Sequence, residues 1–390
     1  MMLGYLLGRA GVETLVLEKH GDFLRDFRGD TVHPSTLQIM DELGLLEDFL
    51  KRPHQEIRRL QGQFGSATLR IADFGRLDVR SRFIAFMPQW DFLNFLLEQG
   101  ARFPSLRVLR NTEAIDLVRD GETIAGVVAR TEDDVLTIRA DLTIGCDGRH
   151  SIVRERAGFA VEDIGAPIDV LWFRVGKDGN VTDPALLHAE PGRLLVTIDR
   201  GDYWQCAFVI PKGTTAAVKA GGLPAFRTTI IEMLPALRDH IDDLKDWDEV
   251  KLLTVAIDRL KQWSRPGLLC IGDAAHAMSP VGGVGINLAV QDAVATANLL
   301  AAKLRYGRPT ANDLRAIGAR RLFPAKVIQA MQVQIQNRVI NPTLQGGVLK
   351  IPAVIKLVDA VPWLQGLVAR IIGMGVRPEH VRSPVVSGGG

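Results

Sequence analysis

The chain has 390 residues, of which 47% are hydrophobic and 24% are charged, so it can bury a sizeable core and is not disordered. Its 47 Lys and Arg residues against 45 Asp and Glu residues leave a net charge of +2, which gives no support to a nucleic-acid-binding surface. Its 3 cysteines form no Cys-x-x-Cys pair, which argues against disulfides and a zinc site, so no metal site and a cytoplasmic location are expected.

The first part of the chain alternates helical and strand patterns. A short helix over 2–10 ends at Gly11, and a buried strand over 14–17 leads into Glu18 and Lys19. The next predicted elements are a helix over 34–50, short strands within 56–88, a helix over 90–99, a β-meander over 106–145 and a strand over 142–146. We expect an α/β fold from this alternation.

The second part begins with a strand-rich stretch from 161 to 256, which predicts a second, β-rich layer. A buried strand over 268–271 and a long Ala-rich helix over 286–304 follow it. The remaining predicted elements are a helix over 222–240 inside the strand-rich stretch, a helix over 311–338 and a tail over 341–390. No uncharged apolar run of about 18 residues occurs, so no membrane-spanning helix is predicted.

The strongest chemical signal is the turn between the strand at 268–271 and the long helix. Asp273 follows the strand and can accept hydrogen bonds from sugar-like hydroxyls at the edge where open α/β sheets bind ligands. Gly282, Gly283 and Gly285 let a ligand approach the backbone closely. The helix start offers unpaired N–H groups and a positive dipole end to an anionic group.

This turn resembles the flavin-contacting motif of the FAD-dependent aromatic hydroxylases, the p-hydroxybenzoate hydroxylase-like flavoprotein monooxygenases. The segment 146–154, with Asp147 and Gly148, resembles the Asp-Gly motif of that family, and 15–19 resembles the second strand of its FAD-binding βαβ unit. The resemblance spans about 1–340. It implies a discontinuous, Rossmann-like FAD/NAD(P)-binding domain with a β-rich substrate domain. The expected FAD-binding pieces are 1–55, 83–160 and 257–340, the substrate domain is 56–82 with 161–256, and 341–390 is a C-terminal helical tail.

The resemblance also implies the residues that bind the cofactor. Glu18 takes the adenosine ribose hydroxyls, Asp273 the ribityl chain, and Pro280 shapes the wall of the oxygen-transfer site. A side chain at Gly283 is expected to block the flavin. The full expected set is Glu18, Lys19, Arg28, Gln89, Ala114, Asp147, Gly148, Gly272, Asp273, Pro280, Gly282, Gly283, Val284, Gly285, Ile286 and Asn287. No catalytic acid or base emerges from the sequence.

The implied activity is hydroxylation of an aromatic or other electron-rich, lipophilic small molecule with NAD(P)H and O2 through a flavin C4a-hydroperoxide. A flavin reductase or oxidase without oxygen insertion is one alternative. A flavin-free, non-catalytic relative is another. For the apolar tail segment 361–374 we expect a cap on the substrate domain or a homodimer contact, in preference to a membrane surface.

One feature of the family pattern is absent. The phosphate-binding Gly-x-Gly-x-x-Gly precedes the ribose-binding acid by about 20 residues, which places it before Met1 when counted back from Glu18. The residues 1–8 resemble the helix that follows that loop. The sequence therefore predicts that the chain as written binds FAD poorly and folds marginally, and that upstream residues carrying the strand and the loop restore both.

Overall fold

The computed structural model describes residues 1–24, 30–178, 186–347, 349 and 351–386. Its α-helices are α1 (Met2–Arg9), α2 (Pro34–Glu42), α3 (Leu46–Phe49), α4 (Gln89–Gly100), α5 (Ile152–Arg156), α6 (Thr215–Ala220), α7 (Leu223–Met233), α8 (Gly285–Tyr306), α9 (Ala311–Ile335), α10 (Asn341–Leu344), α11 (Ala353–Ala360) and α12 (Pro362–Gly373). A π-helical turn, Gln336–Ile340, joins α9 to α10.

The strands are short and numerous. They are β1 (Thr14–Leu17), β2 (Thr31–Val32), β3 (Gln55–Ile57), β4 (Arg59–Phe64), β5 (Ala67–Asp73), β6 (Ile84–Phe86), β7 (Leu106–Leu109), β8 (Glu113–Asp120), β9 (Thr123–Arg130), β10 (Val135–Arg139), β11 (Thr143–Gly145), β12 (Val161–Asp163), β13 (Ile168–Gly176), β14 (Leu187–Glu190), β15 (Arg193–Asp199), β16 (Tyr203–Pro211), β17 (Lys251–Thr254), β18 (Asp258–Leu260), β19 (Ser264–Arg265), β20 (Leu268–Cys270) and β21 (His276–Ala277). The predicted α/β class is confirmed.

The first layer is built from parallel strand pairs packed against α1, α4 and α8. β1 pairs in parallel with β7, and β11 pairs in parallel with β20, while β8, β9 and β10 form the predicted meander. The strand predicted at 14–17 is present, but it is half-buried and not fully buried, since it pairs with β7 alone among the described residues. The helix predicted over 34–50 divides into α2 and α3, because Gly44 takes a left-handed conformation (φ +69°).

The second layer is a seven-stranded sheet in the order β17-β13-β16-β15-β14-β4-β5. Neighbouring strands are antiparallel, except that β14 and β4 run parallel. One face packs against α7, where Phe173, Trp204 and Phe208 surround Phe226 in an apolar cluster. The opposite face packs toward the loop before α8 and toward the C-terminal helices. The helix predicted over 222–240 is shorter in the structure and ends at Met233.

The helix α8 lies in the centre of the molecule. The stretch Val281–Tyr306 is long and apolar enough by length and composition to cross a membrane, but 72% of its most apolar window is buried inside the protein. Such burial is typical of a core helix, and α8 contacts both α1 and α9. Its small side chains, such as Ala293 and Ala297, permit this close packing.

The C-terminal segment covers the edge of the second sheet and then returns to the first layer. α11 and α12 pack on β5, and Gly373 lies against the ring of Phe74. After α12 the chain is extended, and the Val386 N–H donates to the Arg9 carbonyl over 3.1 Å. The segment therefore contacts both layers.

Close approach of α1 to β7 depends on glycine. A Cβ on Gly8 would lie 2.9 Å from Leu106 Cβ, a separation that real Cβ atoms essentially never show. By contrast, Gly318 in α9 has room, since a Cβ there would lie 3.4 Å from Trp263.

We therefore expect Gly8→Ala to lower the free energy of unfolding by about 1–3 kcal/mol through overpacking. Gly318→Ala is the matched control and should raise it by roughly 0.5–1 kcal/mol, because alanine is the better residue inside a helix. Denaturant unfolding of the two variants measures both changes. Equal stability of Gly8→Ala and the unsubstituted chain would contradict the packing argument.

Candidate active site

Two sequence motifs meet at one edge of the first layer. β11 and β20 run parallel, so Asp147 and Asp273 both follow strands that end at the same edge. The Arg149 Nη2 atom lies 4.0 Å from Asp273 Oδ2, which joins the segment after β11 to the turn after β20. The structure thus brings together the Asp-Gly segment and the glycine-rich turn that the sequence singled out.

Asp273 is placed to accept hydrogen bonds from a ligand. It stands in a tight turn after Gly272, whose φ of +59° favours glycine, and its side chain is 34% exposed. Burial raises the pKa of this carboxyl, while Arg149 and His276 oppose the rise. The carboxyl therefore lies near the Arg149 guanidinium and retains an open side.

The start of α8 provides donors beside that acid. Val284 precedes the helix without a side-chain cap, so the first N–H groups lack partners within the helix. A Cβ on Gly285 would lie 4.0 Å from Asp273 Oδ1, so the acid and the helix start border the same space. An acceptor for hydroxyls beside a row of amide donors fits a cofactor that carries both sugar-like hydroxyls and negatively polarised oxygens.

The structure explains the need for glycine at position 283 differently from the sequence prediction. A Cβ on Gly283 would overlap Thr31 Oγ1, and the Thr31 hydroxyl donates to the Gly283 carbonyl over 2.7 Å. The glycine, at φ +62°, therefore admits Thr31 to the loop. Gly282 is also left-handed (φ +81°), and among the described residues a Cβ there would contact the Val284 side chain alone, at 3.7 Å.

Asn287 ties the loop to β2 through its side chain. Its Oδ1 accepts from the His33 N–H (2.9 Å) and from the Thr36 hydroxyl (2.7 Å), and its Nδ2 donates to the carbonyls of Thr31 and Gly283. The amide is thus fully used within the protein. The side chain of Asn287 therefore has a structural role, and only its backbone is available for the expected cofactor contact.

The remaining expected residues that the structure describes lie in two places, at the start of α4 and at the end of β1. Gln89 opens α4 and donates its backbone N–H to Asp30, which precedes the Thr31 that contacts Gly283. Glu18 follows β1, and its carbonyl accepts from the Thr112 N–H (3.0 Å), so the start of β8 with Ala114 lies beside it. Half-buried Glu18 and exposed Lys19 adjoin this strand end. Arg28 lies outside the residues that the structure describes.

The loop 277–281 is held by side chains that sequence reasoning missed. Gln329 donates to the Ala277 carbonyl, Gln332 to the carbonyls of Ser279 and Val281, and Gln336 to the Ser279 hydroxyl, all within 2.7–3.0 Å. Each of these glutamines is at most 1% exposed. Their spacing along one face of α9 and the turn after it is the only sequence signal for this role, and it places Pro280 between clamped neighbours.

A buried carboxylate, Asp292, fixes the turn that carries Asp273. Its Oδ2 accepts from the Gly272 N–H (3.0 Å) and from His276 Nε2 (2.6 Å), and its Oδ1 accepts from Arg321 Nε (2.8 Å). Burial raises the pKa of Asp292, but His276 and Arg321 outweigh that effect, and the pKa lies below its ordinary value. His276 therefore packs beside the loop and supports its shape.

Comparison with known proteins identifies the family of the chain. The sequence profile described as "FAD binding domain" matches residues 1–341. The chain is 31% identical over its full length to 6-methylpretetramide 4-monooxygenase of Streptomyces rimosus and covers 93% of that protein. It is 26% identical to rifampicin monooxygenase of Streptomyces venezuelae, matching over 75% of this chain and 60% of that protein.

Solved structures share the fold. The anhydrotetracycline hydroxylase OxyS of Streptomyces rimosus superposes with a TM-score of 0.73 at 22% identity, covering 96% of this chain and 74% of OxyS. PqsL of Pseudomonas aeruginosa, solved with 2-aminobenzoylacetate, superposes with the same TM-score at 23% identity, covering 88% and 94%. The fold and the site define a dinucleotide-dependent oxidoreductase. The chain belongs to the FAD-binding family of flavoprotein monooxygenases.

Replacing Asp273 with alanine should weaken FAD binding by about 1–3 kcal/mol, because a charge-assisted hydrogen bond is lost. Asp273→Asn keeps an acceptor and should lose less. The exposed Asp163, replaced by alanine, serves as the control. Titration of the apoprotein with FAD, followed by quenching of flavin fluorescence, gives the affinities. Unchanged affinity in Asp273→Ala would falsify the assignment.

Replacing Asp292 with asparagine should cost about 3–5 kcal/mol of stability near neutral pH, because the buried Arg321 and His276 lose the carboxylate to which they are hydrogen-bonded. The pKa of Asp292 is lowered by folding, so its stabilisation is present above the ordinary carboxyl pKa of about 4 and disappears as the pH falls through the lowered value. We expect the difference in free energy of unfolding between the unsubstituted chain and Asp292→Asn to disappear only at acid pH. Denaturant unfolding of both proteins between pH 2 and 8 measures it.

The exposed Asp242, which pairs with Arg227 on the surface, is the matched control, and Asp242→Asn should leave the acid limb unchanged. A stability difference between Asp292→Asn and the unsubstituted chain that stays constant down to pH 2 would contradict the argument.

Proposed function

We propose that this flavoprotein monooxygenase hydroxylates an aromatic, oxygen-rich polycyclic compound, with NAD(P)H as the reductant and O2 as the oxygen donor. The observation that carries the proposal is the Asp273 carboxylate beside the uncapped start of α8, next to the loop that packs on the second β-sheet. The class of substrate is supported by 31% identity over the whole chain to an enzyme named for 6-methylpretetramide.

The residues present fit FAD. Asp273 would bind hydroxyls of the ribityl chain, and Asp147 with Gly148 would border the same edge. Amide groups at the start of α8 would stabilise negative charge on the ring system. Bound FAD supplies the redox chemistry, in which two electrons from NAD(P)H reduce O2 so that one oxygen atom enters the substrate and the other leaves as water.

The chain itself contributes position and exclusion of water. Val281 of the cofactor loop packs against the apolar cluster that contains Val170 and Val209 of the sheet, so this side of the loop is closed to solvent. Gln332 fixes the carbonyls on both sides of Pro280, which keeps this wall rigid. A rigid apolar wall favours transfer of oxygen to the substrate over loss of reducing power to hydrogen peroxide.

Turnover of a test compound decides the proposal. Anhydrotetracycline is added to the FAD-loaded protein with NADH or NADPH under 18O2, and consumption of the nicotinamide, hydrogen peroxide and product mass are measured. Substrate-dependent consumption with one labelled oxygen per product supports hydroxylation. Consumption that yields only hydrogen peroxide, over a panel of oxygenated polycyclic aromatics, would establish a reductase or oxidase instead.

We infer a cytoplasmic location from this activity. The three cysteines are free, and the pyridine nucleotides that the reaction needs are cytoplasmic metabolites. Exposed apolar side chains on α11 and α12, such as Val354, Leu357 and Trp363, lie outside the site. We propose neither a homodimer nor a membrane contact for them, since no feature of the described residues indicates which partner would cover them.

A further inference from the structure

One buried amide beside the loop 277–281 has an end without a partner. Gln336 begins the π-helical turn after α9, and its side chain is fully buried. Its Nε2 donates to the Ser279 hydroxyl over 2.7 Å, whereas no described residue hydrogen-bonds to its Oε1. If the amide oxygen and nitrogen exchanged places, the Ser279 hydroxyl would donate and the amino group would lack a partner instead. One end of the amide is therefore free in either orientation.

The two other glutamines on the same face of α9 are used at both ends. Gln329 accepts from Arg259 over 3.3 Å and donates to two backbone carbonyls. Gln332 accepts from the Ser279 N–H over 3.1 Å and also donates to two carbonyls. Among the buried glutamines that the structure describes, Gln336 alone has a fully buried amide atom without a partner. Such an atom is costly, so the arrangement indicates that a partner comes from outside the chain.

Gln336 lies where α9 meets both the loop and the second sheet. Ile335 and Ile340, which flank it, pack in the apolar cluster that contains Val170 of the sheet. Val281 of the loop packs against the same cluster. Because these neighbours carry no charge, the free end of the amide suits a neutral polar group better than an ion.

We propose that Gln336 is a specificity-determining residue, whose free amide end forms a hydrogen bond with an un-ionised hydroxyl of a fused-ring aromatic substrate. This assignment rests on the proposed function, since it places the substrate beside the loop. A hydroxyl both donates and accepts, so it satisfies either end of an amide. Ser279, which holds the other end, precedes Pro280, so the hydrogen bond fixes the substrate ring next to that residue.

The expected selectivity is against analogues that lack the hydroxyl. A methyl group fills nearly the same space but leaves the buried amide unpaired. Sites built to bind a hydroxyl through hydrogen bonds reject such analogues for this reason.

Two probes that differ in this one group test the assignment. The FAD-loaded protein is titrated calorimetrically with 6-hydroxycoumarin and with 6-methylcoumarin at about pH 7, where a phenol is un-ionised. Gln336→Met, which keeps the length of the side chain, should shift the ratio of the two affinities roughly fivefold or more toward the methyl compound, because the hydrogen bond is lost. Gln334→Met, at an exposed glutamine of the same helix, is the matched control and should leave the ratio unchanged.

Gln336→Glu keeps the test decisive if Gln336→Met fails to fold. A glutamate has nearly the same shape and places an oxygen at each end of the group, so the preference for the hydroxyl should be kept or increased. If Gln336 only held the loop, either substitution would weaken both probes together. That result, or an unchanged ratio in Gln336→Met, overturns the proposal. Failure of the unsubstituted protein to bind either probe also overturns it, since the site would then take no neutral fused-ring phenol.

The experiment distinguishes failure of this assignment from failure of the proposed function. A holoenzyme that oxygenates aromatic compounds and whose affinity ratio does not depend on Gln336 refutes only the role given to Gln336. A holoenzyme that oxygenates no aromatic compound refutes the proposed function, while the ratio of the two affinities still decides whether Gln336 binds a hydroxyl.

Discussion

The carboxylate of Asp292 is the interaction on which the site depends. It holds the Gly272 turn from within the core and is itself held by His276 and Arg321. The Arg321 Nη1 atom lies 3.6 Å from Glu379, so the charge network extends into the C-terminal segment. Since the turn carries Asp273, the position of the acid that we propose to bind the cofactor is determined by ion pairs inside the core.

The sequence was sufficient to find this turn because its chemistry is local. An acid after a buried strand, glycines and then a helix lie within 20 consecutive residues, and β20, the turn and α8 follow that order. The network behind it is not local. Arg321 and Glu379 reach Asp292 from distant parts of the chain, and no spacing rule links them. An isolated acid in an Ala-rich helix was the only sign.

Which face of a strand meets the ligand was also beyond the sequence. Successive residues of β13 and β16 point to opposite faces, but this alternation alone does not say which face meets helix α7 and which face meets the loop. The structure sends Phe173 and Phe208 into the core beneath α7, and it turns Trp172 the other way. The reason for glycine at position 283 was missed similarly, because Thr31 approaches it from 252 residues away.

The extended segment after α12 has a consequence for how the chain is made. The Ser383 carbonyl accepts from the Arg9 side chain, a contact between residues 374 positions apart, and Val386 bonds to the backbone of the same arginine. During synthesis the first helix leaves the ribosome long before these partners exist. The outer side of α1 therefore stays incompletely covered until the end of translation. The tertiary contacts of this first helix are among the last that the chain can form.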